Sequence, residues 1–377
     1  MYLSRIELNH FRNYKKLKLK LSPSINIFIG NNAQGKTNIL ESIYVLALTK
    51  SHRYGVENNL IYHGYESSRI KGVLKIDKSV KEMMVSFQKN KKQVFINDKE
   101  IRKLSDYIFN MKVIMFCPDD LEIVKGSPAD RRNLMNIQIS QLFENYAPFL
   151  NEYNKILKNR NEYLKIMNTN SYADSRYLDI LNEKLIERAI DIYKYRKIYM
   201  DYISNLIGDF YKNITGIDGL RISYDTNLDL KTFEEEEIRE NLSRKLKTNI
   251  KREMLQGTTL YGPHRDDFSF YINDIDIKLY GSQGQQRSAI IAYKLSEIYL
   301  FKEITKTTPI LLLDDIFSEL DVKKRNNLIK YIPDDIQTII TTTDLKNIQK
   351  KLVDRSSVFV VDNGNIIEKE GKDNGKC

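Results

Sequence analysis

The chain opens on two runs in which apolar and polar side chains alternate. Tyr2, Leu3, Ile6 and Leu8 mark the first, and Leu17, Leu19 and Leu21 the second. A two-residue period turns one face of a strand to a core and the other to water, so residues 2–9 and 16–21 predict an opening hairpin. Ser24–Gly30, SINIFIG, is a short apolar run with β-branched residues that ends in glycine, the pattern of a buried strand feeding a turn. Thr37–Ala47 follows with Ile39, Leu40, Ile43, Leu46 and Ala47 at helical spacing. The pattern therefore predicts a strand, a glycine-containing turn and a helix in series.

Residues 69–115 return to short β-type runs, RIKGVLKID, KEMMVSFQK, KQVFIND and MKVIMF, with Asn97-Asp98 as a hairpin tip. Between Ala129 and Phe210 the period lengthens. Leu142, Tyr146, Phe149, Tyr153 and Ile156 are spaced by threes and fours, as are Leu178, Leu181, Leu185, Ala189 and Ile192, and then Tyr199, Ile203, Leu206 and Phe210. Long amphipathic helices follow from this spacing, parted near the polar stretch Asn168–Ser175. The same spacing suits a helical subdomain with its own core or a coiled-coil arm. Residues 218–281 are mixed, with an acidic patch at Glu234–Glu237. Ser282–Lys302 predicts another helix, and Pro309–Ile316, Gln337–Thr342 and Ser357–Val361 predict buried strands. The polar tail from Gly364 to Cys377 is expected to fray.

Composition narrows the classes. Hydrophobic residues make up 41% of the 377, enough for a sizeable core, so global disorder is excluded. Lys and Arg total 60 against 50 Asp and Glu, a net charge of +10 that permits a polyanion partner without proving one. Two cysteines, Cys117 and Cys377, cannot build a disulfide framework or a cysteine zinc site, and four scattered histidines argue against a histidine metal site. No apolar run is long enough to span a membrane, and the N-terminus lacks the apolar core of a signal peptide, so a cytoplasmic, soluble chain is expected.

The chemistry is concentrated in three segments. Gly30, Asn31, Asn32, Ala33, Gln34, Gly35, Lys36 and Thr37 satisfy G-x-x-x-x-G-K-[ST] between a predicted strand and a predicted helix, the context this phosphate-binding loop needs. Gly30 and Gly35 let the backbone curl so that its N–H groups form an anion nest, and the helix dipole adds positive potential. Lys36 would reach the β- and γ-phosphates of ATP, and the Thr37 hydroxyl would ligate Mg²⁺. In the second segment, four apolar residues run into Asp314 and Asp315, so a buried strand presents two acids at its C-terminal end, where open α/β sheets bind ligands. Asp314 would hold the metal through water. Asp315, the expected catalytic residue, would orient or deprotonate an attacking water.

The third segment, Ser282, Gln283, Gly284, Gln285 and Gln286, opens the helix before that strand. A hydroxyl, backbone N–H groups and a helix dipole together can contact a γ-phosphate. The order of loop, long insert, Ser-x-Gly-x-Gln helix and acidic strand is that of ATP-binding-cassette heads, in which this signature meets the nucleotide of a second subunit. Ser318 and Asp321 fall where such heads place the loop that crosses the dimer interface. Thr342 and Thr343 stand where many carry a switch histidine. No glutamine is evident for the loop that approaches the metal from the opposite side, and the turn Phe116–Leu121 occupies that place.

Seven stretches then point to one family: IELNHFRNY, GNNAQGKTNILE, KSHR at 50–53, PDDLEIVKGSPADRR at 118–132, GPHRDD at 262–267, GSQGQQR at 281–287 and LLLDDIFSELD at 311–321. Through them the chain resembles the RecF family of bacterial DNA replication and repair proteins along nearly its full length. That family is similar to SMC heads but lacks their long coiled coil. The resemblance implies a weak, DNA-stimulated ATPase that dimerises with ATP, binds DNA at gaps and junctions, acts with RecO and RecR to help load RecA, and is linked to the SOS response.

The expected fold is α/β, an ABC-type P-loop ATPase head with an inserted, mainly helical second lobe. Residues 1–121 and 282–377 would form the ATPase lobe and 122–281 the second lobe. Among basic residues that would meet DNA phosphates are Arg12, Lys15, Lys16, Lys91 and Lys92, although lysines guarding strand edges would look the same. Arg131, Arg132, His264 and Arg265 are expected to be structural or interfacial. A transporter ATPase subunit, an SMC-like structural head with negligible turnover and a nuclease-linked ATPase are the rival classes. The long insert speaks against the first, and the lack of a further acidic cluster against the last.

Overall fold

The computed structural model describes residues 1–53, 57–89, 91–170 and 172–369. The chain divides into two compact units. The first comprises residues 1–120, 213–216 and 291–377, and the second 121–212 and 217–290. The chain passes between them inside the helix Gln283–Thr305, so that Ser282–Gln286 group with the second unit.

Two sheets build the first unit. One is an antiparallel meander in which Tyr2–Phe11 pairs with both Tyr14–Lys20 and Ser67–Ile76, followed outward by Ser79–Gln88, Lys91–Ile96 and Lys99–Glu100. Its strands alternate as the sequence predicts: Met83, Val85 and Phe87 are buried while their neighbours are not. Asn97 and Asp98 have φ of 49° and 61°, and the positive pair makes the expected tight tip.

The other sheet is parallel and central. Its order is Ser356–Asp362, Ile25–Ile29, Thr338–Thr342, Ile310–Asp314 and Val113–Phe116, with Asn365–Lys369 added antiparallel at one edge. Strands covered on both faces read as unbroken apolar runs, and every residue of Ile310–Asp314 and Thr338–Thr342 is buried. Two expectations change here. The run MKVIMF leaves the β-rich region to become an edge of this second sheet. Residues 365–369 of the supposed frayed tail form a strand, because Val361 and Asp362 offer an open ladder edge to Ile366 and Asn365. Cys377 and the rest of that tail lie outside the described residues. The two sheets are joined by the fully buried Gln337. Its amide accepts from Leu3 N at 2.8 Å and donates to Leu3 O at 2.9 Å and Ser22 O at 2.7 Å.

The second unit is mainly helical. Pro128–Leu142, Tyr146–Thr169 and Ser175–Thr215 are its long helices, the last running 41 residues to end outside the unit. Glu235–Thr248 begins on the acidic patch, where carboxylates suit a helix N-terminus. A three-stranded sheet of Leu220–Asp225, Asp267–Ile272 and Ile275–Asp276 completes it. Two arginines are among the polar groups buried in its core. Arg160, 0% exposed, donates at 2.7 Å to each of Asn182, Thr259 and Glu253. Arg196, 1% exposed, donates to Pro263 O and to the Tyr224 hydroxyl, which donates to Asp266 at 2.6 Å.

The stretch GPHRDD is therefore built into this core. Arg131 clasps Asp267 through two bonds of 2.7 Å, and Arg132 donates to Asp266 O. His264 donates from Nε2 to Thr259 O and accepts the Tyr153 hydroxyl at Nδ1. Burial lowers its pKa to about 4. The imidazole is thus neutral, as its acceptor role requires.

Candidate functional site

The C-terminal ends of Ile25–Ile29, Ile310–Asp314 and Val113–Phe116 open onto a chamber of about 400 Å³ in the first unit. Its walls carry Asn32, Ala33, Gly35–Asn38, His52, Arg53, Cys117–Asp119, Asp314, Asp315 and Thr341. The loop between Gly30 and Lys36 takes its shape from two positive dihedrals, Ala33 at 64° and Gly35 at 108°. Gly35 has no alternative. A Cβ there would stand 2.4 Å from Asn13 Nδ2 and 2.9 Å from the Tyr14 hydroxyl. These two residues at the tip of the opening hairpin brace the loop, Tyr14 donating to Gly35 O at 3.1 Å and Asn13 to Gln34 O at 3.3 Å. The helix Lys36–Leu48 then starts; Asn38 N and Ile39 N donate back to Gly35 O at 3.0 Å and 3.3 Å, so Lys36 and Thr37 are the first-turn residues whose N–H groups have no acceptor within the helix.

Lys36, 7% exposed, donates to Gly30 O and Asn31 O at 2.7 Å each. Burial lowers its pKa, and Asp315 and Asp314 oppose that shift. Thr37 donates to Asp314 Oδ1 at 2.9 Å, and Thr341 donates to the same oxygen at 2.7 Å. Burial raises the pKa of Asp314 despite these two hydroxyls. Asp315 sits at φ 49°, held by N–H donation to Thr341 O and Oγ1, and its Oδ1 is buried without a hydrogen-bond partner. A non-glycine residue in this region is strained, and such strain persists where surrounding structure over-determines it.

These groups fit a polyphosphate with a divalent cation. A glycine-shaped nest and an ammonium face one way; a hydroxyl on a buried carboxylate, with an unpartnered carboxylate oxygen beside it, faces the other. Among the described residues no cluster of three or more His, Cys, Asp or Glu could hold a metal unaided, so phosphate oxygens would have to complete the coordination.

Several contributors were not legible beforehand. Glu41, fully buried on the Lys36 helix, is clasped by Arg12, accepts from Ser51 Oγ at 2.6 Å and faces Arg53 at 3.9 Å. This anchors the KSHR segment so that His52 and Arg53 reach the chamber. Burial lowers the His52 pKa to about 4. Thr341, one residue ahead of the pair singled out in the sequence, is the one that touches Asp314; Thr343 is exposed. The Phe116–Leu121 turn does reach the chamber, through Cys117, Pro118 and Asp119.

The other predicted residues separate into groups. Ser282 and Gln285 form a reciprocal cap at the start of their helix, 2.8 Å and 3.3 Å, with Ser282, Gln283 and Gly284 exposed. Gln286 does not belong with them. It is 3% exposed and its amide donates to Ile277 O at 2.7 Å, so it is turned away from any outside phosphate. Ser318 donates to Asp315 O, and Asp321 caps the helix Val322–Tyr331. Lys15, Lys16 and Lys91 are exposed, and Lys92 donates to Thr49 O at 3.1 Å. The guanidinium of Arg12 is engaged by buried Glu41 and by Asn59 O. No helix among the described residues is long and apolar enough to cross a membrane.

Comparison with known proteins gives one consistent result. The family described as RecF/RecN/SMC N terminal domain matches residues 2–366. DNA replication and repair protein RecF of Ligilactobacillus salivarius is 39% identical, with 98% of each chain covered. RecF of Lactobacillus gasseri is 40% identical over 98% of this chain and 100% of its own. A solved structure of the recombination mediator protein RecF with ATP, in the RecFOR pathway, superposes with a TM-score of 0.90 at 32% identity, over 98% of this chain and 97% of that one. An Smc head bound to a winged-helix domain of ScpA, 14% identical with a TM-score of 0.56 over 98% of both chains, shares the fold.

Proposed function

The chain belongs to the RecF family, and on that premise we propose that it is an ATP-driven DNA-binding protein of replication and recombinational repair. One observation carries this: Lys36, Thr37 and Asp314 converge at the mouth of a glycine-shaped loop over the ends of a parallel sheet.

The loop N–H groups and Lys36 would hold the phosphates of ATP. Thr37 and Asp314 would hold Mg²⁺, which when bound supplies positive charge to the phosphate oxygens. Asp315 orients the water that attacks the terminal phosphate, from a place on the chamber wall where its N–H is tied to Thr341. The exposed cap Ser282–Gly284 of a second copy would reach the γ-phosphate, with Ser318 and Asp321 near the join. Phosphate contacts made from both copies favour the closed dimer, and hydrolysis removes them, so turnover acts as a timer for residence on DNA. RecR and RecO are the partners this reading expects, and RecA the indirect beneficiary.

Ser282→Arg tests the sandwich. It should bind ATP as the unmodified chain does, yet stay monomeric by light scattering with ATP and Mg²⁺; a variant that still dimerises contradicts the assignment. For DNA, a gel-shift salt series on gapped and double-stranded substrates should show affinity falling steeply with salt. Exchanging Lys15, Lys16 and Lys91 together for alanine should flatten the slope by about 2 to 3, close to one per phosphate contact. An unchanged slope would place the DNA elsewhere. ATP turnover with and without DNA distinguishes the timer from a static clamp.

A further inference from the structure

The chamber holds a carboxylate that the scheme so far does not use. Asp119 lines it from the short helical turn Pro118–Leu121, across from the phosphate loop in sequence but within the same unit. The charged side chains on the walls are Lys36 and Arg53 against Asp119, Asp314 and Asp315. The remaining titratable groups add nothing positive at neutral pH. Burial lowers the His52 pKa to about 4, and burial raises that of the Cys117 thiol far above neutrality. The wall therefore carries three acidic side chains against two basic ones, with burial working against the charge of Asp314. A further carboxylate beside a polyphosphate is repulsive, and the repulsion becomes attraction only when a divalent cation accompanies the phosphates.

Asp119 is an exposed residue of the chamber wall, and its neighbour anchors the turn that carries it. Asp120 accepts from Cys117 N at 2.9 Å, returns its own N–H to Cys117 O at 3.0 Å, and faces Lys294 Nζ at 3.5 Å. Lys294 is 2% exposed on the helix Gln283–Thr305. Burial works against its ammonium, but Asp120 and Glu297 outweigh burial and keep it charged. A buried ion pair is weak evidence of stability, and here it ties the turn that carries Asp119 to the helix Gln283–Thr305.

We propose that Asp119 is a specificity-determining residue that makes the chamber select metal-bound over metal-free nucleotide, and that the Lys294–Asp120 pair is the positioning element that holds it there. This rests on the polyphosphate assignment of the same chamber.

The test is equilibrium binding of a fluorescent ATP analogue at fixed ionic strength, in Mg²⁺ and in EDTA. Asp119→Asn should bind more tightly than the unmodified chain in EDTA and no more tightly in Mg²⁺. The ratio of the two affinities should shrink by about tenfold, the scale of one charge on the wall of a partly screened site. A second variant, Asp120→Leu with Lys294→Met and Glu297→Gln, replaces the buried ionic group by neutral side chains without stranding the Glu297 carboxylate, and its melting temperature reports that it folds. It should shrink the ratio in the same way although Asp119 is present. A ratio unchanged in Asp119→Asn overturns the proposal. A ratio unchanged in the folded triple variant overturns the positioning role. An unmodified chain that binds the analogue in neither buffer overturns the polyphosphate assignment itself.

Discussion

Lys36→Ala should lose nucleotide binding by at least about 100-fold and, with it, any ATP-dependent rise in mass. The ammonium lies almost wholly buried, donates to two loop carbonyls at 2.7 Å, and faces Asp314 and Asp315. Its removal takes away both the loop's own brace and the main positive charge in a chamber already rich in carboxylates. A charge-assisted hydrogen bond in such a place contributes about 1.5 to 3 kcal/mol, and Lys36 would make more than one. Titration calorimetry and light scattering on the same sample measure both effects. Near-normal binding in the folded variant would show that phosphates are held somewhere else.

The largest stability effect should come from the second unit. Arg160→Met leaves Glu253 buried with no cation, since both side chains are 0% exposed. Breaking a buried pair from one side costs about 3 to 5 kcal/mol, a large share of the stability of an ordinary domain. Asn182 and Thr259 lose their donor at the same time. Urea unfolding followed by circular dichroism should show an early transition, and adding Glu253→Leu should recover much of the loss. A midpoint unmoved by Arg160→Met would mean that the pair is solvated.

The site was legible where its chemistry is local in sequence. The phosphate loop, its flanking strand and helix, and the acidic strand each announce themselves within about a dozen residues, since period and glycine placement are short-range properties. What could not be read is what one segment does to another. Arg12 looks like any exposed basic residue until the fold brings Glu41 to it. Gln286 looks like its neighbours until the helix it begins turns it toward Ile277. Thr341 and Asp119 are ordinary residues in their own segments, and only a sheet with Thr338–Thr342 beside Ile310–Asp314, and Val113–Phe116 beyond, sets them around one chamber. Strand order in a parallel sheet leaves no trace in periodicity, which is why MKVIMF reads as a strand without revealing that it pairs with Ile310–Asp314.

The central sheet also constrains how the molecule comes into being. Ile25–Ile29, which leads into the phosphate loop, is hydrogen-bonded on one side to Thr338–Thr342 and on the other to Ser356–Asp362, about three hundred residues downstream. Pairings that distant in sequence form slowly. A ribosome will have displayed the whole glycine-lysine motif long before either flanking strand has left the exit tunnel. Competence to grip a nucleotide is thus deferred to the close of translation, and a nascent chain interrupted before residue 338 carries the motif without the sheet that shapes it.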